Sequence, residues 1–336
     1  MGSALREFAR RRSRPVLDTL EGRVVLTTFH AYNLAQLAAD VAAVNNTTGP
    51  NTILLRGGNY VLTQSLKIQN AGNLTIRSST VGGVVNLTGS AVDRVLEIDG
   101  GSVTLQGLSI SGGSGVPIGG GILAQNTALT LRNVRLYTNA VSQAGGGIFA
   151  EGGALNIYNS QVMNNRASNS IQAMGGGIVA WNTATTIASS IINENSVFAV
   201  DTTTTGGSVS GTGGGIYAQG GTLNIRRSTV TGNTVYAVTT GNYGASSGGG
   251  VSSYGTPVTV TGSTFQYNSL NTVSNGGFAI QGSVFSTAGG SLSVADSTIS
   301  RNTPAGLLHT FYHPGTTVTI SNSTIDTQRI TGTRTL

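Results

Sequence analysis

Five glycine triplets set the frame of this chain. They begin at Gly119, Gly145, Gly175, Gly213 and Gly248, and an asparagine stands twenty residues beyond each: Asn139, Asn165, Asn195, Asn233 and Asn268. Between these anchors the apolar positions align in columns. Ile122, Ile148, Ile178, Ile216 and Val251 form one, and Ala124, Ala150, Ala180, Ala218 and Ser253 the next. Leu131, Ile157, Ile187, Ile225 and Val260 form a third, and Leu136, Val162, Ile192, Val230 and Phe265 a fourth. Each unit reads as three short strands of period two. Such a unit cannot bury its apolar face alone, so successive copies must stack as coils with equivalent strands in parallel. The expected fold is all-β, a parallel β-helix solenoid over residues 51–328.

The anchors have structural duties in such a stack. Glycines turn the corner between strands without steric cost. The asparagines read as a ladder of buried amides, each bonding to the coil above and below. Composition agrees: 50 residues are glycine and 9% are charged. With no cysteine, disulfides and thiolate metal sites are excluded. The net charge of +6 is concentrated at the start, where the first 23 residues hold six arginines. The body has a single lysine, Lys67, so it lacks the clustered basic groups of a nucleic-acid groove.

Residues 1–28 read as a basic leader outside the fold. Residues 29–50 hold a capping helix and linker, and 329–336 form a C-terminal tail. The helix is expected over 31–44, because Leu34, Leu37, Ala38, Val41 and Val44 recur at helical spacing and Asn45-Asn46-Thr47-Thr48-Gly49-Pro50 stops it. An amphipathic helix there would cover the first sheet edge, which otherwise invites pairing with other chains. No apolar run approaches the length of a membrane span.

Two resemblances can be given on these residues. The Gly-Gly-Gly-Ile element followed by apolar-x-x-Asn is similar to the repeats of polymorphic outer-membrane and related surface proteins, which implies a right-handed parallel β-helix. Phe265-Gln266-Tyr267-Asn268 matches the second element in full. Leu20-Glu21-Gly22-Arg23-Val24-Val25 resembles the leader motif of planctomycete surface and secreted proteins. Together they imply an exported or cell-surface location.

Coil length varies between each Asn and the next Gly triplet. The inserts are Ala140–Ala144, Arg166–Met174, Ser196–Thr212, Thr234–Ser247 and Ser269–Asn275. Equivalent positions stack, so all five must emerge on one side, and the two longest should lie against each other as a ridge with extra strand pairing. Phe198 and Tyr236 hold the same offset in the two longest. Beside the ridge, period two directs Leu123, Phe149, Val179, Tyr217 and Ser252 off the core, followed by Gln125, Glu151, Trp181, Gln219 and Tyr254. Phe149, Trp181, Tyr217 and Tyr254 would then form an aromatic strip suited to stacking on an extended glycan, unless the ridge covers it. The candidate substrate-binding residues are Phe149, Glu151, Trp181, Phe198, Asp201, Tyr217, Tyr236 and Tyr254.

Catalysis finds less support. The densest acidic group, Asp93, Glu97 and Asp99, lies beside Arg94 and reads as a solvated strand face. No acid and base emerge in defined roles, and no metal or other cofactor is implied. The sequence thus points to a non-catalytic structural or adhesive protein, with surface proteins or extracellular polysaccharide as partners. The alternative is a polysaccharide-binding or polysaccharide-degrading protein of lyase or hydrolase type.

Overall fold

The computed structural model describes residues 27–80, 82–203, 207–241, 243–304, 311–326 and 328–335, the side chains of 328–334 excepted. The leader motif lies outside them. The described chain is a parallel β-helix. Its main sheet has 26 strands, and equivalent strands of successive coils pair in parallel and in register, as Ile122↔Ile148, Ile148↔Ile178, Ile178↔Ile216 and Ile216↔Val251. All four expected apolar columns point inward. Except for the buried Ser253, they join one continuous core running from Ala31 to Ile325.

The helix spans Leu34–Val44, shorter at its start than expected. Asn33 caps it, accepting from the Gln36 N–H at 3.0 Å, while Gln36 Oε1 accepts from the Tyr32 N–H at 2.8 Å. These reciprocal bonds satisfy donors a helix start leaves unpaired. Leu37, Val41 and Val44 are buried in the core end, whereas Ala38 is exposed. A strand, Thr27–Ala31, precedes the helix and pairs in parallel with Pro50–Leu55, so the β-helix begins inside the stretch assigned to the leader. At the other end Gln328–Thr335 pairs antiparallel with Thr317–Ile325, so the tail is a closing strand.

The asparagine ladder is present. Asn139 Nδ2 donates to Asn165 Oδ1, Asn165 Nδ2 to Asn195 Oδ1 and Asn195 Nδ2 to Asn233 Oδ1, each at 3.0 Å, and the series continues through Asn268 to Asn302. A second ladder runs beside it. The backbone N–H groups of Ser160, Ser190, Ser228, Ser263 and Ser297 donate in turn to the hydroxyls of Ser190, Ser228, Ser263, Ser297 and Ser323 at 3.1–3.2 Å.

A third corner alternates. Its turn residue is Ala71, Gly101, Thr127, Gly153, Thr183, Gly221, Thr256, Gly290 and Thr316 on successive coils. At Gly152-Gly153 both residues take positive φ, 71° and 70°, and a Cβ on Gly153 would sit 2.3 Å from the Thr127 carbonyl oxygen. The threonines reach the other way: Thr183 Oγ1 donates to the Ala150 carbonyl at 3.2 Å.

The inserts behave as their alignment requires. They build a separate ten-stranded sheet on one side of the β-helix. Outgoing strands Arg166–Asn169, Ser196–Asp201, Thr234–Thr239 and Ser269–Val273 stack in parallel, as do returning strands Gln172–Met174, Val209–Thr212, Tyr243–Ser247 and Gly277–Gln281. Ala140–Ala144 contributes to both series. The fifth insert runs on to Gln281, because Gly282 takes the corner that Gly248 fills one coil earlier. The two layers close on their own small core, with Val141, Ala167, Val197, Val235 and Leu270 from the outgoing side and Ala173 from the returning side. Gly211 makes this possible, since a Cβ there would lie 2.6 Å from Val235 Cγ1.

Candidate functional site: a trough beside the arm

Each returning strand of this arm meets a corner glycine, the first of a triplet except at Gly282, and folds back against the next body strand. Gly145 takes φ 67°, and a Cβ there would lie 2.5 Å from the Ile148 carbonyl oxygen, so only glycine fits so sharp a corner. The corner brings Ile118, Ala144 and Met174 of the arm onto Leu123, Phe149 and Val179 of the body. This apolar contact is the floor of the junction between arm and body, and it runs along the stack from Ile118 to Tyr217.

The expected aromatic strip is therefore divided. Phe149 is 2% exposed and part of the floor, so it presents no ring to a ligand. Period two had directed it off the core, but the arm covers it. Trp181 and Tyr217 are half-buried at the margin of the floor. Trp181 packs edge-on to Phe149, with ring centroids 5.8 Å apart at 76°. Tyr254 is 61% exposed. What remains accessible is the outer column, in register as Gln125↔Glu151↔Trp181↔Gln219↔Tyr254.

Polar groups in this column are oriented by neighbours. Gln125 Nε2 donates to Glu151 Oε2 at 3.2 Å. Tyr217 donates its hydroxyl to Gln219 Oε1 at 2.8 Å. Burial pushes the Tyr217 phenol above its ordinary pKa, with a smaller contribution from Tyr254. Both amides stand in the aligned column beside the ring and carboxylate candidates. The signal for Gln125 and Gln219 was their shared offset from the triplet.

Three candidates lie elsewhere. Phe198 and Tyr236 sit on outgoing strands, whose alternate residues Val197, Ala199, Val235 and Ala237 face the arm's interior. Their rings thus lie on the arm's other face, away from the junction. They stack at 4.7 Å and 13°, with the Arg166 guanidinium 4.1 Å above Phe198. Asp201 does not face the rings. Its carboxylate accepts from the Thr203 N–H at 3.0 Å, the Thr203 hydroxyl at 2.8 Å and the Gly207 N–H at 3.0 Å, closing the longest loop on itself. The backbone bonds from Thr203 and Gly207, then the Thr203 hydroxyl, hold it below the usual carboxylate range.

In the acidic group at residues 93–99, Glu97 and Asp93 are tied to neighbours, and Asp99 is exposed. Glu97 pairs with Arg94 at 3.4 Å and Lys67 at 3.7 Å. Asp93 accepts from the Ser65 N–H and hydroxyl at 3.0 and 2.7 Å. Burial alone would raise Asp93, but these bonds, with those from Arg94, outweigh it and hold the group low. Among the described residues, no three His, Asp or Glu side chains converge as metal ligands, and no helix is long and apolar enough to cross a membrane.

The fold and site define a parallel β-helix with a one-sided arm and an apolar junction between them. No family model and no curated protein matches the chain. A solved structure described as alginate lyase AlyF-OU02 in complex with G6 matches at 12% identity, over 92% of this chain and 87% of that one, with a TM-score of 0.30. Overlap of that degree bears on neither the mechanism nor the ligand of this protein.

Proposed function

We propose that this protein is a non-catalytic, adhesive β-helix that binds an extended glycan along the outer column beside its arm. The observation that carries the reading is the in-register column Glu151, Trp181, Gln219 and Tyr254, beside an apolar contact that seals arm to body as far as Tyr217. Coils in such a stack are about 4.8 Å apart, so Trp181 and Tyr254, two coils apart, offer rings about 10 Å from one another along the axis. Flat rings stack on sugar faces, while the amides and Glu151 bond to hydroxyls between them. Glu151 is the one carboxylate in the column and accepts from Gln125, which favours a binding role for it over a paired-carboxylate hydrolysis. An exported or surface location rests on the resemblances of the repeat and the leader.

Trp181 is the only tryptophan, so its fluorescence reports on this site alone. Titration with a panel of neutral and acidic oligosaccharides should give a saturable change for at least one. Tyr254→Ala, an exposed position, should then weaken binding about three- to tenfold. A panel that leaves Trp181 emission unchanged and shows no binding by calorimetry overturns the glycan reading. Chain shortening of a bound oligosaccharide would overturn the non-catalytic part.

A further inference from the structure

A cavity of about 500 Å³ opens at a different corner, among the N-terminal coils. The strand Asn73–Ser78 carries Arg77, and two coils further on Arg135 begins the strand Arg135–Tyr137. Between them Gln106 pairs with Arg77, and Ser109 pairs with Arg135. Residues 78–80 and 82–84 line one side, where the Ser78 hydroxyl donates to the Thr80 carbonyl at 2.9 Å and the Gly83 N–H donates to the same carbonyl at 3.1 Å. Buried Val85 and Leu108 form the base, and Ser79, Thr80, Gln106 and Asn133 supply the polar rim.

The charge here is unbalanced. No carboxylate lines the cavity. Among the described residues the ion pairs engage Lys67 and Arg94, so neither Arg77 nor Arg135 has an acidic partner. Arg77 makes one long bond, to the Ser78 carbonyl at 3.4 Å. Arg135 leans over the Tyr137 ring at 5.6 Å and touches the Met163 sulfur at 4.0 Å. A guanidinium has five N–H donors, so most of them stay open on both residues. Arginine pairs with carboxylate, phosphate or sulfate through its planar fork. The volume lies in the range of small-molecule sites, and a bare ion would leave most of it empty. Hydroxyl and amide groups between two cations suit a polyhydroxylated anion.

We propose that this cavity binds an anionic sugar, its acid group held by Arg77 and Arg135 and its hydroxyls by the rim. The site is separate from the Trp181 column, and it stands or falls independently of binding there. Calorimetry on the full chain at low salt would compare glucuronate and glucose 6-phosphate with glucose and inorganic sulfate. At least one charged sugar should bind saturably, more tightly than sulfate, and glucose should not. The double variant Arg77→Gln/Arg135→Gln should lose about tenfold or more in affinity. Both side chains are exposed, so Trp181 fluorescence and the strand-rich circular dichroism should stay as in the parent. Four results overturn the proposal: no binding of either charged sugar, equal binding of glucose, sulfate bound as tightly as the charged sugars, or a folded double variant of unchanged affinity.

Discussion

Truncating Asn195 to alanine tests whether the asparagine column contributes stability or only marks a corner. Asn195 is fully buried. Its Oδ1 accepts from the Asn165 backbone N–H and side-chain amide, both at 3.0 Å. Its Nδ2 donates to the Val162 carbonyl at 2.9 Å and to Asn233 Oδ1 at 3.0 Å. Two neighbours keep a second partner after truncation: the Asn165 amide still reaches the Leu136 carbonyl, and Asn233 Oδ1 still accepts from the Asn195 N–H. The Asn165 backbone N–H does not. One orphaned buried donor costs about 1–3 kcal/mol, and the weakened bonds add about 0.5–1.5 kcal/mol each. The expected loss is about 3–5 kcal/mol. Denaturant unfolding followed by Trp181, which lies in the coil that Asn195 closes, would measure it. Asn193→Ala, on the outward side of the same coil, should cost under about 0.5 kcal/mol. Equal losses at 193 and 195 would refute the ladder as a source of stability. Asn195→Asp sharpens the test. A buried carboxylate facing the Val162 carbonyl and Asn233 Oδ1 should have a folded pKa raised above the usual ~3.9. Its penalty should therefore be smallest below that value and grow as pH rises through the window up to the raised pKa.

The serine ladder gives a parallel case: Ser190→Ala orphans the Ser160 N–H and should cost about 1–3 kcal/mol in the same unfolding assay. Asp201 should confer pH-dependent order on its loop. Its folded pKa is depressed, so the bonds are intact above the ordinary carboxylate value and lost as pH falls through the lowered one. The protection of the Gly207 amide against exchange, taken relative to its intrinsic rate at each pH, should fall on acidification, and Asp201→Asn should remove that dependence.

Much of this molecule was legible because stacked coils repeat their chemistry at fixed offsets. The Gly–Asn spacing located the corners, the ladder and the side on which the inserts pair. The serine ladder carried an equal signal, five residues before each asparagine at Ser160, Ser190, Ser228 and Ser263, but serine is common enough here to pass as filler. The first strand was not legible: Thr27–Ala31 buries Ala31 alone, and its partner lies beyond the helix. Phe149 shows the limit of alternation. Period two says whether a side chain leaves the core, and not whether another layer receives it. That depended on arms long enough to fold back, which the insert lengths implied without fixing which residues they touch. Asp201 failed for a related reason: a lone carboxylate in a loop with Thr203 and Gly207 close by binds its own backbone first.

The alternating corner bears on how such a stack can grow. Every coil with a side chain there, at Thr127 or Thr183, is followed by a coil with glycine, at Gly153 or Gly221. The glycine turn leans onto the threonine turn so closely that a Cβ on Gly221 would lie 2.4 Å from the Thr183 carbonyl oxygen. The threonine hydroxyl then spans back over the glycine turn, as Thr256 does to the Gly220 carbonyl at 3.2 Å. The unit that repeats without steric conflict is therefore two coils, although every other column repeats with one. Deleting residues 146–175 removes one coil and sets the Thr183 turn directly on the Thr127 turn. Deleting 146–213 removes two and sets Gly221 on Thr127, which preserves the alternation. In a stack where each coil contacts only its neighbours, the shorter protein has fewer favourable interfaces and would ordinarily be the less stable. The corner reverses that order: the two-coil deletion should unfold at the higher denaturant concentration. The two-coil deletion lacks Trp181, so circular dichroism would follow the transition in both variants. If the one-coil deletion proves the more stable, the alternation is incidental and the single coil is the unit of growth.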